Sequence, residues 1–214
     1  AEDDVKIRLR PHLLPGNFTV KRGENKLKIR EGSNHEMTKN SMGTYLIEMN
    51  SQTPYPITEL TIEDTDLDPQ LFFYSIKALY GPAEKVKFFA VDKDGNETEI
   101  APEEVVDKAA VQQNKDTAAK VQSGEITKEQ APQTQQTIKK IIIRLKDGKQ
   151  IDPNEGFTFR MHVSTGVLYD NASLLNKDFP NTAKFTGKLL TTEGKEIPFN
   201  SENIGKIQAE ELAI

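Results

Sequence analysis

Phe157, Phe159, Met161 and Val163 alternate without a fault against Thr158, Arg160 and His162. A period of two sends successive side chains to opposite faces of an extended backbone, so this stretch can shelter its apolar residues only as a strand with one buried face. The pattern recurs along the chain. Val5, Ile7 and Leu9 alternate with Lys6, Arg8 and Arg10 and stop at Pro11; Tyr45, Ile47 and Met49 alternate with Leu46, Glu48 and Asn50; Leu60 and Ile62 alternate with Thr61 and Glu63. Val86, Phe88 and Ala90 face away from Phe89 and Val91, and Ile141, Ile142, Ile143 and Leu145 resume strand character further on. Short strands are expected at 18–20 and 27–29 on either side of Gly23, Leu71, Phe72 and Phe73 are expected to plug one end, and Ala183, Phe185, Leu189 and Leu190 read as a closing strand. Pro54 and Pro56 in SQTPYP, the DKDG ending at Gly95 and the Asp147-Gly148 pair supply the turns. Many short alternating segments separated by such turns fold as two facing sheets.

Between Pro102 and Lys140 the period changes. Glu103 and Glu104 after Pro102 resemble a helix start, where acids favour the positive end of the dipole, and Val105, Val106, Ala109 and Ala110 make one narrow apolar stripe. Gly124 ends it, and Thr127 with Gln130 fits a capping box for one more turn before Pro132. The expected fold is mainly β, an immunoglobulin-like β-sandwich with a helical insertion around 103–131 inside an insert running to 137. A disordered excursion is the competing reading of that insert. The sandwich is expected over 35–200, with 1–34 as flanking strands belonging to it or to an adjacent module, and 201–214 as a tail.

The chain has 214 residues, enough for one good core or two small ones. Cys and Trp are both absent, which excludes a disulfide framework, a thiolate zinc site and a Cys nucleophile. A net charge of −5 argues against nucleic-acid binding, which needs a basic face; the run Lys21 to Arg30 is balanced by Glu24 and Glu31. No apolar run is long enough to insert into a membrane. The chain begins AEDD and ends EELAI with neither export nor sorting signal, so an exported protein of this kind is expected to be a piece of a longer one.

Little of the sequence points to metal or catalytic chemistry. His12, His35 and His162 are scattered without the spacing of a zinc site, and His162 is expected to face outward. Asp64, Asp66 and Asp68 form a weak calcium candidate, but they are not followed by the bidentate Glu of an EF-hand loop, and neither is Asp92 to Asn96. No phosphate loop or nucleophile elbow occurs, and nothing among 33 acidic residues selects a hydrolytic pair. No cofactor and no enzymatic activity are expected.

In order, the chain carries GTYLIEMNSQTPYPITELTIEDT, FFAVDKDGNETEI, IDPNEGFTFRMHV and NTAKFTG. This succession, over roughly Gly43 to Gly187, resembles the conserved-repeat, or DUF-eleven-like, β-sandwich domain of Gram-positive cell-wall surface proteins and adhesins. The usual Pro-Gly turn of that family appears here as Asp152-Pro153-Asn154-Glu155-Gly156, and the helical insert is a larger departure. The resemblance implies a structural or adhesive module, extracellular and anchored to the cell wall through parts of the parent protein outside this chain, with neighbouring repeats, host matrix proteins or glycans as partners. It also implies an isopeptide crosslink from a lysine amine to an amide, helped by an acid: Lys26 or Lys28 as amine, Asp64 as acid and Asn181 as amide. In the plainer reading, Asn181 makes a turn, Asp64 caps a strand end and the lysines are solvated. The alternative function is a carbohydrate- or host-protein-binding domain using the insert and nearby loops, with Tyr55, Tyr74 and Tyr80 as stacking candidates. A secreted hydrolase on a β-sandwich is a third, weaker reading.

Overall fold

A computed structural model describes residues 19–23, 27–29, 42–50, 54–153, 155–164 and 178–211. Its strands are β1 (Thr19–Gly23), β2 (Leu27–Ile29), β3 (Met42–Asn50), β4 (Ile57–Thr65), β5 (Phe72–Tyr80), β6 (Val86–Asp92), β7 (Glu97–Ile100), β8 (Ile138–Leu145), β9 (Gly156–Ser164), β10 (Asp178–Leu190) and β11 (Glu196–Glu211), with one helix, α1 (Lys108–Gln122), between β7 and β8. The mainly β sandwich with a helical insertion, expected from the alternation, is the architecture observed.

Two sheets form, one of order β1-β3-β9-β5 and one of order β2-β11-β10-β4-β8-β6-β7. Pairing is antiparallel except between β2 and β11. From β3 onward the chain passes repeatedly from one sheet to the other: β3, β5 and β9 lie in the smaller sheet, and β4, β6 to β8 and β10 in the larger. The two strands flanking SQTPYP therefore do not form a hairpin but face each other across the core.

Register explains the burial. β3 and β9 place Tyr45, Ile47 and Met49 opposite Met161, Phe159 and Phe157, and all six are buried on the inner face. Opposed residues of an antiparallel pair share a face, so a single register satisfies both apolar sets. Phe157 and Phe159 stack with centroids 5.2 Å apart, and Phe88 of the other sheet meets Phe159 edge-on at 5.7 Å. β5 is less regular. Bulges between Phe73 and Ser75 and between Ala78 and Tyr80 shift its phase, so Phe73 and Ile76, three apart in sequence, both join the main core. Phe72 instead packs on the opposite side, with Ala110 and Val111 of α1, in a small separate cluster. The end plug expected of Leu71, Phe72 and Phe73 is thus divided between two cores.

Three sequence expectations are corrected. The helix starts at Lys108, capped by Asp107, rather than after Pro102: Glu103 is in the left-handed region at φ 67°, and the backbone N–H groups of Val106 and Asp107 bond to β5. Its buried face is Ala110, Val111, Asn114 and Thr117, whereas Ala109 is exposed, because Val105 and Val106 precede the helix and do not share a helical face with 109 and 110. β10 is not the last strand; β11 pairs with it over 196–208 and with β2 over 209–211. The strand expected at Val5 to Leu9 lies outside the described residues, as do His12, His35 and Lys26.

Candidate functional site

The residues that sequence reasoning singled out meet in part at one end of the sandwich. β4 and β10 pair with Asp64 opposite Ala183 and Thr65 opposite Thr182, which brings the end of β4 beside Asn181. Asn181 is 1% exposed, and its Nδ2 donates to the Thr65 carbonyl at 2.8 Å. Asp64 is fully buried, as alternation within β4 requires of a residue two places after Ile62. Across the interior, the Tyr45 hydroxyl of β3 donates to the Phe179 carbonyl of β10 at 2.7 Å, tying the smaller sheet to the larger. Burial first, then the charges of Asp64 and Asp68, push the Tyr45 phenol far above its ordinary range. Asp64, Asn181 and Tyr45 thus form a buried polar group between the sheets, which the sequence pointed to only through Asp64 and Asn181. The missed signal was a tyrosine at an inward strand position, whose hydroxyl must find a partner when buried.

The amine candidates are placed differently. Lys28 lies on β2, paired with Glu210 of β11 at the margin of the larger sheet. The register of β1 on β3 sets Gly23 opposite Tyr45 and Lys21 opposite Ile47.

Asp66 is exposed at φ 63°, whereas Asp64 is buried, and the Asp68 carboxylate accepts the Gln70 N–H at 2.9 Å in an Asx turn. Among the described residues no group of three acids and histidines converges to hold a metal ion. Asp92 closes its hairpin by accepting the backbone N–H groups of Asp94 and Asn96, and these bonds hold its carboxyl below the usual range, Asn96 contributing most. Of the tyrosines, Tyr55 and Tyr74 are half-buried, Tyr74 against the α1 cluster, and Tyr80 is 66% exposed. His162 is half-buried.

Asp107 is the feature the sequence did not announce. It is fully buried, and its carboxylate accepts from Ala110 N, Thr137 N, Thr137 Oγ1 and Ile138 N. One side chain thereby caps α1 and fixes the start of β8. A cleft of about 400 Å³ opens where β4 and β8 part, lined by Glu59, Arg144, Lys146 and Asp147 among others; Arg144 there is held bidentately by Glu97 and lies over Phe89.

No protein-family model and no curated protein sequence matches the chain. Among solved structures, the collagen-binding subdomain of the Enterococcus faecalis surface protein ACE is similar at 14% identity and TM-score 0.39, covering 89% of this chain and 96% of that one. Domains D2 and D3 of the major pilin SpaD of Corynebacterium diphtheriae are similar at 13% identity and TM-score 0.38, covering 87% of this chain and 51% of that one. The major pilin subunit BcpA of Bacillus cereus is similar at 13% identity and TM-score 0.42, covering 89% and 40%. The chain spans nearly the whole of the first of these structures and about half or less of the other two. No helix among the described residues is long and apolar enough to cross a membrane.

Proposed function

We propose that this chain is a structural and adhesive module of a bacterial cell-surface protein, a non-enzymatic stalk or ligand-presenting unit held to the wall by other parts of its parent. The observation that carries the reading is the buried polar group between the sheets. Tyr45 bonds one sheet to the main chain of the other, beside an acid and an amide that are both withdrawn from water. A sandwich that must stay closed under load profits from a tie across its layers, and this one lies at the strand ends that the family resemblance marks.

The same group supports an isopeptide crosslink with Asn181 as amide and Asp64 as acid. In that reaction an uncharged lysine Nζ attacks the Asn181 Cγ, a carboxylic acid polarises the amide carbonyl, the C–N bond to the amide nitrogen breaks and one ammonia leaves. Burial away from water favours the uncharged form of both amine and acid. Lys26 and Lys28 are the amine candidates, and Lys21, whose register position on β1 is opposite Ile47 and two residues, about 7 Å, from the position opposite Tyr45, is a third. Intact-mass measurement tests the crosslink. A mass lower than the sequence mass by one ammonia, restored by Asn181→Ala, is the expected result, and an unmodified mass rejects the bond.

A second reading, binding of a host matrix protein or glycan near the insert, draws on Tyr80, an exposed aromatic two-thirds accessible to solvent. Binding to matrix-protein and glycan arrays that disappears with Tyr80→Ala would favour it; unchanged binding, or none, favours the spacer.

A further inference from the structure

The tripeptide Lys-Asp-Gly occurs twice, at 93–95 and at 146–148, and supplies both Asp-Gly pairs of a chain that has no Asn-Gly pair. In each copy the aspartate and the glycine are exposed. Gly95 and Gly148 are both left-handed, at φ 83° and φ 75°, with open space where a side chain would stand. Burial and backbone conformation therefore do not separate the two copies. Their places in the turn do.

In the first copy Gly95 is the fourth residue of its turn, and its N–H donates to the Asp92 carbonyl at 3.1 Å. Asp92 N donates to Asn96 O at 3.1 Å, and the Asp92 carboxylate accepts from Asp94 N, Asn96 N and Asn96 Nδ2. In the second copy the turn starts one residue later in the motif: Lys149 N closes on Lys146 O at 3.1 Å, which makes Gly148 the third residue. A β-turn ties up the N–H of its fourth residue and leaves that of its third pointing away. Among the described residues Gly148 N has no acceptor, and the Asp147 carboxylate has neither a donor nor a cation.

We propose that Asp147-Gly148 is a site of spontaneous backbone modification, where aspartate converts to isoaspartate, and that the identical motif at Asp94-Gly95 is protected from it. The Gly148 nitrogen attacks Asp147 Cγ; the new N–Cγ bond forms as the amide proton and the carboxyl hydroxyl leave together as one water, closing a five-membered imide. Water then adds at the main-chain carbonyl carbon of Asp147 and breaks its bond to the Gly148 nitrogen. The chain now runs through Cβ and Cγ, the former main-chain carbonyl is a free carboxylate, and the elemental composition is unchanged. Closing the ring requires the turn to loosen. One backbone bond spans 146–149, whereas the turn at Asp92 is held by its two backbone bonds and three more to the Asp92 carboxylate. Asp147 and Gly148 also line the cleft of about 400 Å³ between β4 and β8, beside Arg144 and Lys146, so conversion moves a carboxylate at its mouth. The inference stands on the two turns and does not require the adhesive reading.

Incubation of the folded protein at neutral pH and physiological temperature tests it, with isoaspartate counted by a protein isoaspartate methyltransferase and assigned to a residue by electron-transfer fragmentation of a digest. Isoaspartate is expected to accumulate at Asp147 at least about tenfold faster than at Asp94, since each hydrogen bond that must open slows the step several-fold. Equal rates, a faster rate at Asp94, or no product at Asp147 overturns the proposal. In denaturant the two rates are expected to converge; a difference that persists there belongs to the local sequence and overturns the role of the turns. Asp92→Ala, a change at the surface, is expected to raise the rate at Asp94 toward that of Asp147, and an unchanged rate overturns the protection.

Discussion

Tyr45 makes a direct hydrogen bond between the two layers. Its hydroxyl reaches the Phe179 carbonyl across the interior, and replacing it with Phe removes that bond between the sheets. Tyr45→Phe is expected to lower unfolding free energy by about 1–3 kcal/mol, read as a shift of the urea midpoint at constant slope. The pH dependence has a definite sign. Burial and the nearby carboxylates keep the phenol protonated in the folded state well beyond the pH at which the unfolded chain releases it, about 10. The folded state therefore binds more protons above that pH, the tyrosine's contribution is complete below it, and it declines as pH rises further. The stability difference between wild type and Tyr45→Phe is expected to narrow in urea titrations between pH 9 and pH 11, on the order of those limits; a constant difference would contradict the assignment.

At the scale of elements, the alternating strands and the turn after Ile126 were legible, and the start of the helix was not. The capping box at Thr127 forms as its spacing predicts: Gln130 N donates to Thr127 Oγ1 and Thr127 N to Gln130 Oε1. Thr127→Ala is expected to speed amide exchange at Gln130 by about tenfold without moving the global unfolding midpoint, since the turn is exposed and distant from either core. Val106 and Asp107 escaped a local reading because their backbone groups are spent on β5, some thirty residues earlier in the chain. A propensity argument sees acids after a proline and places the helix start there. The tertiary contact overrides it. β11 was hidden for a related reason. Its residues alternate weakly, and the strand is specified by its ladder with β10 more than by its own pattern. At the candidate site, Asp64 and Asn181 were visible through motif order, but the Tyr45 bond and the Lys21 register needed the pairing of strands far apart in sequence.

For the molecule as a whole, the decisive interior is the aromatic group where Phe157 and Phe159 of the smaller sheet meet Phe88 of the larger. Phe159→Ala is expected to cost about 3–5 kcal/mol through lost transfer energy and the cavity left behind, with all probes of unfolding shifting together. The lateral margins are handled in two ways. β7, at the limit of the larger sheet, is four residues long and exposes Glu97 and Glu99, whereas β5 is nine residues long, mostly apolar, and overlain by a folded-back stretch of its own chain. Charge discourages an approaching strand at the first margin, and at the second the chain's own backbone already takes up the outward carbonyls of Phe73, Tyr74 and Ile76. Where many such molecules stand side by side, neither of these lateral margins offers a neighbour a bare row of hydrogen-bonding groups.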